Sequence, residues 1–142
     1  MFEDILKMIH AETNQEYLSN TLGYNDLENF SRVVLRDYCT VLSSSYLSFL
    51  GLLNGFSIGG FNIYGTVGND SPYVLDYKVM NEYWKEVLSD YFLIGDSDID
   101  FYCIGKSNGQ YCILGKDDLC VYESEVDFEK FIAKIVGPFI LK

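Results

Sequence analysis

The second half of the chain has the most regular alternation of apolar and polar segments. Short apolar runs at residues 91–95, 99–105, 110–114 and 119–123 are typical of strands, and polar turns at 106–109 and 115–118 separate the last three. The Asn108-Gly109 pair indicates a hairpin, because both residues accept the positive φ that matches the twist of the flanking strands. These residues predict an antiparallel meander.

Apolar residues at helical spacing predict helices before the meander. The clearest stripe lies in residues 46–53, where Ser43 or Ser44 is expected to cap the helix start and Gly55 to end the helix. Looser apolar clusters in the first 35 residues predict further amino-terminal helices; their members are Ile5, Leu6, Ile9, Phe30, Val33, Val34 and Leu35.

The region between residues 56 and 90 mixes strand and helix signals. A strand is expected around 61–66, a turn at 68–72 and a second short strand or extended segment at 73–75. A helix should follow, with Trp84 anchored in the core beside the other members of its apolar face, which are Val79, Tyr83, Val87 and Leu88.

A closing helix is expected after the meander. Ser124 and Asp127 form a capping-box-like start, and Gly137-Pro138 should end the helix. Its buried face is predicted to hold Phe128, Phe131, Ile132, Ile135 and Val136. With 142 residues and no internal repeat, we expect one α+β domain over 1–142, with a mainly antiparallel sheet of about five or six strands flanked by amino-terminal helices and a carboxy-terminal helix.

The order of these motifs is informative beyond the fold. Tyr-x-x-Phe-Leu-x-x-Leu-Asn-Gly at 46–55 is followed by Ile-Tyr-Gly at 63–65, the strand at 91–95, a polar turn and meander at 96–123, and Asp-Phe-Glu-Lys-Phe at 127–131. From about residue 30 to 136 the chain thereby resembles the SUKH superfamily, which includes yeast cell-wall-assembly regulators and bacterial toxin-immunity proteins. One departure is Ser43-Ser44, where the family often has Leu-Pro.

The resemblance implies a function in protein binding and none in catalysis. Its bacterial members suggest an immunity protein in bacterial competition, which binds and neutralises a cognate toxin domain. Its eukaryotic members suggest an alternative, a constitutive scaffold or regulatory module with a cellular partner.

Charge narrows the class of partner. The chain has 21 acidic and 10 basic residues, a net charge of −11, and residues 70–129 hold 14 acids against four lysines. Such a chain repels nucleic acid and anionic membranes, whereas a basic toxin such as a nuclease would be attracted. The amino terminus has acids where a secretory signal has positive charge, and no apolar run is long enough to span a membrane, so a cytoplasmic protein is expected.

The residues offer little for catalysis, metal or cofactor binding. His10 is the only histidine, and no motif links it to a nucleophile. Four cysteines lack a C-x-x-C pair and are expected to be reduced and mostly buried. The D-x-D-x-D run from Asp96 resembles the start of a calcium loop, but Phe101 and Ser107 stand where Gly and Glu are required. We expect no enzyme, metal, cofactor or small-molecule substrate.

The candidate site is therefore a set of acids in the meander. They fall at turns or strand ends, where side chains are expected to project freely and form the rim of a protein-binding surface: Asp96, Asp98, Asp100, Asp117, Asp118, Glu123 and Glu125. Two alternatives stay open. One is that the acids serve solubility alone; the other is that the binding face is the concave side near Tyr64 and Trp84.

Overall fold

The computed structural model describes residues 2–66 and 70–140, which form one α+β domain. In these ranges a six-stranded antiparallel sheet has the strand order β1-β2-β3-β4-β5-β6. The elements in chain order are α1 (Glu3–Glu12), α2 (Tyr24–Tyr38), α3 (Ser44–Leu52), β1 (Phe56–Ile58), β2 (Phe61–Ile63), α4 (Tyr77–Trp84), β3 (Tyr91–Asp96), β4 (Asp100–Gly105), β5 (Tyr111–Gly115), β6 (Val121–Glu125) and α5 (Phe128–Ile140). The predicted fold class and meander are confirmed.

One face of the sheet packs against α1, α3 and α5. Phe128 of α5 lies at the centre of this contact, with its ring 5.4 Å from Phe49, 5.1 Å from Tyr46 and 5.2 Å from Tyr111 of β5. Phe2, just before α1, completes the cluster at 6.2 Å from Phe128. Because the three helices share this aromatic cluster, it joins the helical layer to the sheet.

Helix α3 forms as its sequence predicts. The Ser43 hydroxyl accepts a hydrogen bond from the Tyr46 N–H at 3.3 Å, and Tyr46 and Phe49 are fully buried. The regular helix ends at Leu52, slightly before Gly55. Gly55 has φ +93°, and a Cβ there would lie 2.7 Å from the Gly65 nitrogen, so this position needs glycine for conformation and for space.

Helix α4 corrects the predicted core. Val79, Tyr83 and Val87 are 65%, 76% and 52% exposed, and Trp84 is half-buried. The helix instead turns Asn81 inward, where its amide nitrogen donates to the Leu93 carbonyl at 2.9 Å and its amide oxygen accepts from the Leu93 N–H at 2.8 Å. Two hydrogen bonds to the backbone of β3 thus orient the helix against its own apolar pattern.

Other differences occur at element ends. β1 was not predicted, β2 is shorter than expected, and Tyr73 and Val74 form a turn and bend where a short strand or extended segment was expected. The predicted turn at 68–72 lies partly outside the described residues. These short segments have too few residues for a periodic pattern to separate strand from turn.

The closing helix also differs at both ends. Ser124 belongs to β6 and donates to Gln110 Oε1 at 2.7 Å, so Asp127 alone caps the helix by accepting from the Glu129 N–H at 3.1 Å. The helix continues through Gly137 and Pro138 to Ile140. Proline's φ fits helical backbone and its missing N–H removes one hydrogen bond, which did not end the helix here.

The β4–β5 and β5–β6 hairpins share one turn geometry. In the first, the Gly109 N–H donates to the Gly105 carbonyl at 2.8 Å, and in the second Leu119 donates to Gly115 at 2.9 Å. Gly109 has φ +70° and Leu119 has φ +56°. Asn108 has no positive φ, so only the glycine of the predicted Asn-Gly pair has the left-handed conformation. Leu119 occupies the same position with a side chain that disfavours it.

Replacing Leu119 by glycine should stabilise the protein, because glycine adopts a positive φ without the steric cost of a Cβ. We expect a gain of about 0.5–1 kcal/mol in the free energy of unfolding, measured by urea denaturation. The matched control is Gly109→Ala. The added Cβ would meet no atom within 4 Å, so the cost of the positive φ alone should destabilise this variant by a similar amount. A destabilised Leu119→Gly variant would contradict this account.

Buried tyrosines should make the fold sensitive to alkaline pH. Burial raises the pKa of Tyr111 to about 12 and raises the pKa values of Tyr46, Tyr64 and Tyr102 well above 10.0, their ordinary value. The unfolded chain therefore loses these protons first, and stability should fall as pH rises above about 10. As pH rises, part of the increase in tyrosinate absorbance at 295 nm should coincide with the loss of the circular-dichroism signal of the folded protein. Complete titration of the tyrosines in a still-folded protein would refute this.

Candidate protein-binding surface

The meander brings five of the seven candidate acids to one end of the sheet. The β3–β4 and β5–β6 turns meet there, as the register of Asp100 opposite Gly115 and the 2.8 Å bond from the Lys116 N–H to the Ile99 carbonyl show. The Asp98 side chain reaches the β1–β2 turn, 3.5 Å from where a Cβ on Gly60 would lie. We call this region the acidic end; its acids are Asp96, Asp98, Asp100, Asp117 and Asp118.

Asp96 does not project freely, contrary to the sequence-based expectation. It is 5% exposed, accepts a hydrogen bond from Asn62 Nδ2 at 3.0 Å, and lies 3.4 Å from Lys116 Nζ. The same ammonium lies 5.3 Å from the centre of the Phe101 ring. Burial, followed by the Asp96 charge, raises the pKa of Tyr64. Asp96 therefore stabilises the inside of the acidic end and is unavailable as a rim charge.

Asp98, Asp117 and Asp118 are exposed, and Asp100 is half-buried. A Cβ on Gly115 would lie 2.5 Å from both Asp118 Oδ1 and Tyr122 Oη and 3.2 Å from Asp117 Oδ1, so three polar groups converge above this glycine.

Tyr122 completes the acidic end and was not identified as a candidate from the sequence. Desolvation, a hydrogen bond with Asp100 and the nearby carboxylates raise the pKa of Tyr122, an exposed residue. Asp118 has a second role, since its Oδ1 accepts from the Cys120 N–H at 2.9 Å and holds the turn. This arrangement can present charge and hydrogen-bond acceptors to a partner.

Glu123 and Glu125 lie apart from the acidic end. Both carboxylates are 2.8 Å from Lys134 Nζ, so they tie β6 to α5. The hydrogen bond from Lys134 lowers the pKa of Glu125, and the two glutamates raise the pKa of Lys134. Lys134 offsets one of their two charges and holds both side chains against α5, which leaves them less suited than the acidic end to attract a partner.

The other candidate chemistry has no organised site in the described ranges. No group of three or more His, Cys, Asp or Glu side chains there is arranged to hold a metal ion. Cys103 and Cys112 are buried on adjacent strands, but Cys39 and Cys120 are exposed, so half of the thiols depart from the expected burial. Nor does any helix in 2–66 or 70–140 have the length and apolar character to cross a membrane.

Of the two residues predicted for the alternative binding face, Tyr64 and Trp84, only Trp84 can be reached by a partner. Tyr64 is fully buried and is inaccessible to a partner, whereas Trp84 is half-buried at the end of α4.

Comparison with known proteins found no relative that could guide the choice of binding face: no protein-family model and no curated protein matches this chain.

Asp96 and Asp98 should behave differently when each is replaced by alanine. Asp96→Ala leaves Lys116 and Asn62 without their acceptor and should lower the free energy of unfolding by about 1–3 kcal/mol. Asp98→Ala, at an exposed site, should change it by less than about 0.5 kcal/mol. Urea denaturation at neutral pH measures both values. Equal losses would mean that the burial of Asp96 does not set its role.

Proposed function

We propose that this protein is a non-enzymatic immunity protein that binds a basic bacterial toxin domain, such as a nuclease, and blocks its active site. The observation that most supports this is the acidic end, where Asp98, Asp117 and Asp118 are exposed beside a lysine already paired with Asp96. The resemblance to SUKH immunity proteins agrees with it. The proposed compartment is the cytoplasm of the cell that must be protected.

The physical basis is charge complementarity. A nuclease toxin presents basic side chains to phosphate groups, and a protein of net charge −11 with exposed carboxylates on two neighbouring turns can occupy that surface. Opposite charges raise the association rate by steering the encounter, and the effect weakens as salt screens the charges. Inhibition of this kind requires only binding, which fits a surface without an assigned catalytic group.

The alternative is a scaffold or regulatory module that uses the same surface for a cellular partner. To separate the two, the product of each gene adjacent to this protein's gene should be expressed in a host bacterium with and without this chain. We expect one product to stop growth alone, to become harmless when co-expressed, and to form a stoichiometric complex by size-exclusion chromatography. Toxicity that persists on co-expression, or no toxic product, would contradict the immunity function.

Neutralising the exposed acids should slow the association with that toxin. In the variant D98N/D117N/D118N, asparagine at 118 keeps an acceptor for the Cys120 N–H, as Asn108 does for Gln110 in the equivalent hairpin. Stopped-flow measurements should show an association rate roughly tenfold lower at low salt and a flatter salt dependence.

The control for this variant is E3Q/D4N/D26N, which changes the net charge equally at exposed positions of α1 and α2. It should reduce the rate far less, since these three acids belong to α1 and α2 and not to the acidic end. If both variants slow association equally, overall charge and not this surface steers the partner.

A further inference from the structure

Helix α4 has two apolar faces, and the protein buries only one of them. Met80 and Trp84 pack against the core, while Val79 and Tyr83 lie one turn apart on the neighbouring face and Val87 follows in the turn after the helix; all three are exposed. We call these three residues the α4 stripe. Isolated exposed apolar residues are ordinary, but a contiguous row centred on an aromatic ring is typical of an interaction site.

A chain of ring contacts links the α4 stripe to the acidic end. The Tyr83 ring lies 5.0 Å from Trp84, and Trp84 lies 5.0 Å from Phe101 of β4. Phe101 in turn contacts Lys116, the partner of Asp96. A continuous row of rings therefore leads from the exposed stripe to the charged turns.

Charges around the α4 stripe indicate which partner fits it. Glu82 is exposed on the side of α4 away from Trp84, and Glu86 is exposed in the turn after the helix. Glu82 also accepts a hydrogen bond from the Tyr38 hydroxyl at 3.2 Å and pairs with Lys85 at 3.5 Å. Exposed glutamates therefore adjoin the stripe, and Glu82 directly precedes Tyr83 in the chain.

We propose that the α4 stripe is the apolar centre of the interface with the toxin, and that the toxin presents an apolar pocket bordered by lysine or arginine. This inference rests on the proposed function and adds the residues that supply affinity. A second copy of this chain fits poorly, because each copy has a charge of −11 and would bring Glu82 and Glu86 against further acids. Tyr83 should contribute most, since buried tyrosines dominate many interfaces.

The test begins with a photo-crosslinking residue at position 83 of the full chain, expressed in the organism that encodes it. Tyr24 of α2 provides a matched control position, because it is 78% exposed against 76% for Tyr83. We expect one basic protein to crosslink from position 83 and not from 24. No crosslink from 83, the same products from 24, or a crosslinked second copy of this chain would overturn the proposal.

The captured protein is then identified, purified and measured against Tyr83→Ser and Tyr24→Ser. We expect Tyr83→Ser to bind roughly 30-fold more weakly, mainly through faster dissociation and with an unchanged salt dependence. Tyr24→Ser should bind like the wild type, and both variants should keep the wild-type melting temperature because both side chains are exposed. Unchanged affinity in Tyr83→Ser would overturn the proposal.

Toxicity of the captured protein tests the proposed function separately. A captured protein that binds through Tyr83 but does not stop growth would refute the immunity function and leave the α4 stripe as an interface. A toxin that this chain neutralises equally well with Tyr83→Ser would refute the α4 stripe and leave the immunity function.

Discussion

The packing of Phe128 against the sheet is the contact on which the rest of the structure depends. Its ring contacts Phe2, Tyr46, Phe49 and Tyr111, which come from the start of α1, from α3 and from β5. Aromatic pairs in edge-on and tilted arrangements add specific geometry to the burial of apolar area. The Tyr111 hydroxyl also hydrogen-bonds Ser43, so the cap of α3 is linked to the same cluster.

Helices α1, α3 and α5 share this cluster, whereas α4 contacts the backbone of β3. Asn81 aligns α4 by hydrogen bonds to Leu93, and this orientation directs Tyr83 away from the core. The exposed apolar row is thus a consequence of satisfying the backbone of β3. Replacing an inward amide by an apolar residue would leave two buried backbone groups without partners, which costs more than exposing a valine or tyrosine.

In the proposed interface, charge and apolar area have different effects on binding. Exposed carboxylates act over a distance of roughly 10 Å in physiological salt and influence how fast a partner arrives. Apolar and aromatic contacts act only after water is excluded, so they influence how long the partner stays. The buried pair of Asp96 and Lys116 belongs to neither role, since it stabilises the turns that present the other acids.

Sequence by itself determined the elements whose signals are local. The cap at Ser43, the buried stripe of α3, the strands of the meander and the α+β class follow from neighbouring residues, because capping and side-chain periodicity act within one or two turns. Tertiary structure decided what depends on distant residues: that Asp96 is buried against Lys116, that Glu123 and Glu125 pair with Lys134, and that Asn81 faces Leu93. Acidic residues in 70–129 therefore differ in role although they share a residue type. Their roles depend on burial and pairing, which are set by the side chains that the fold brings together.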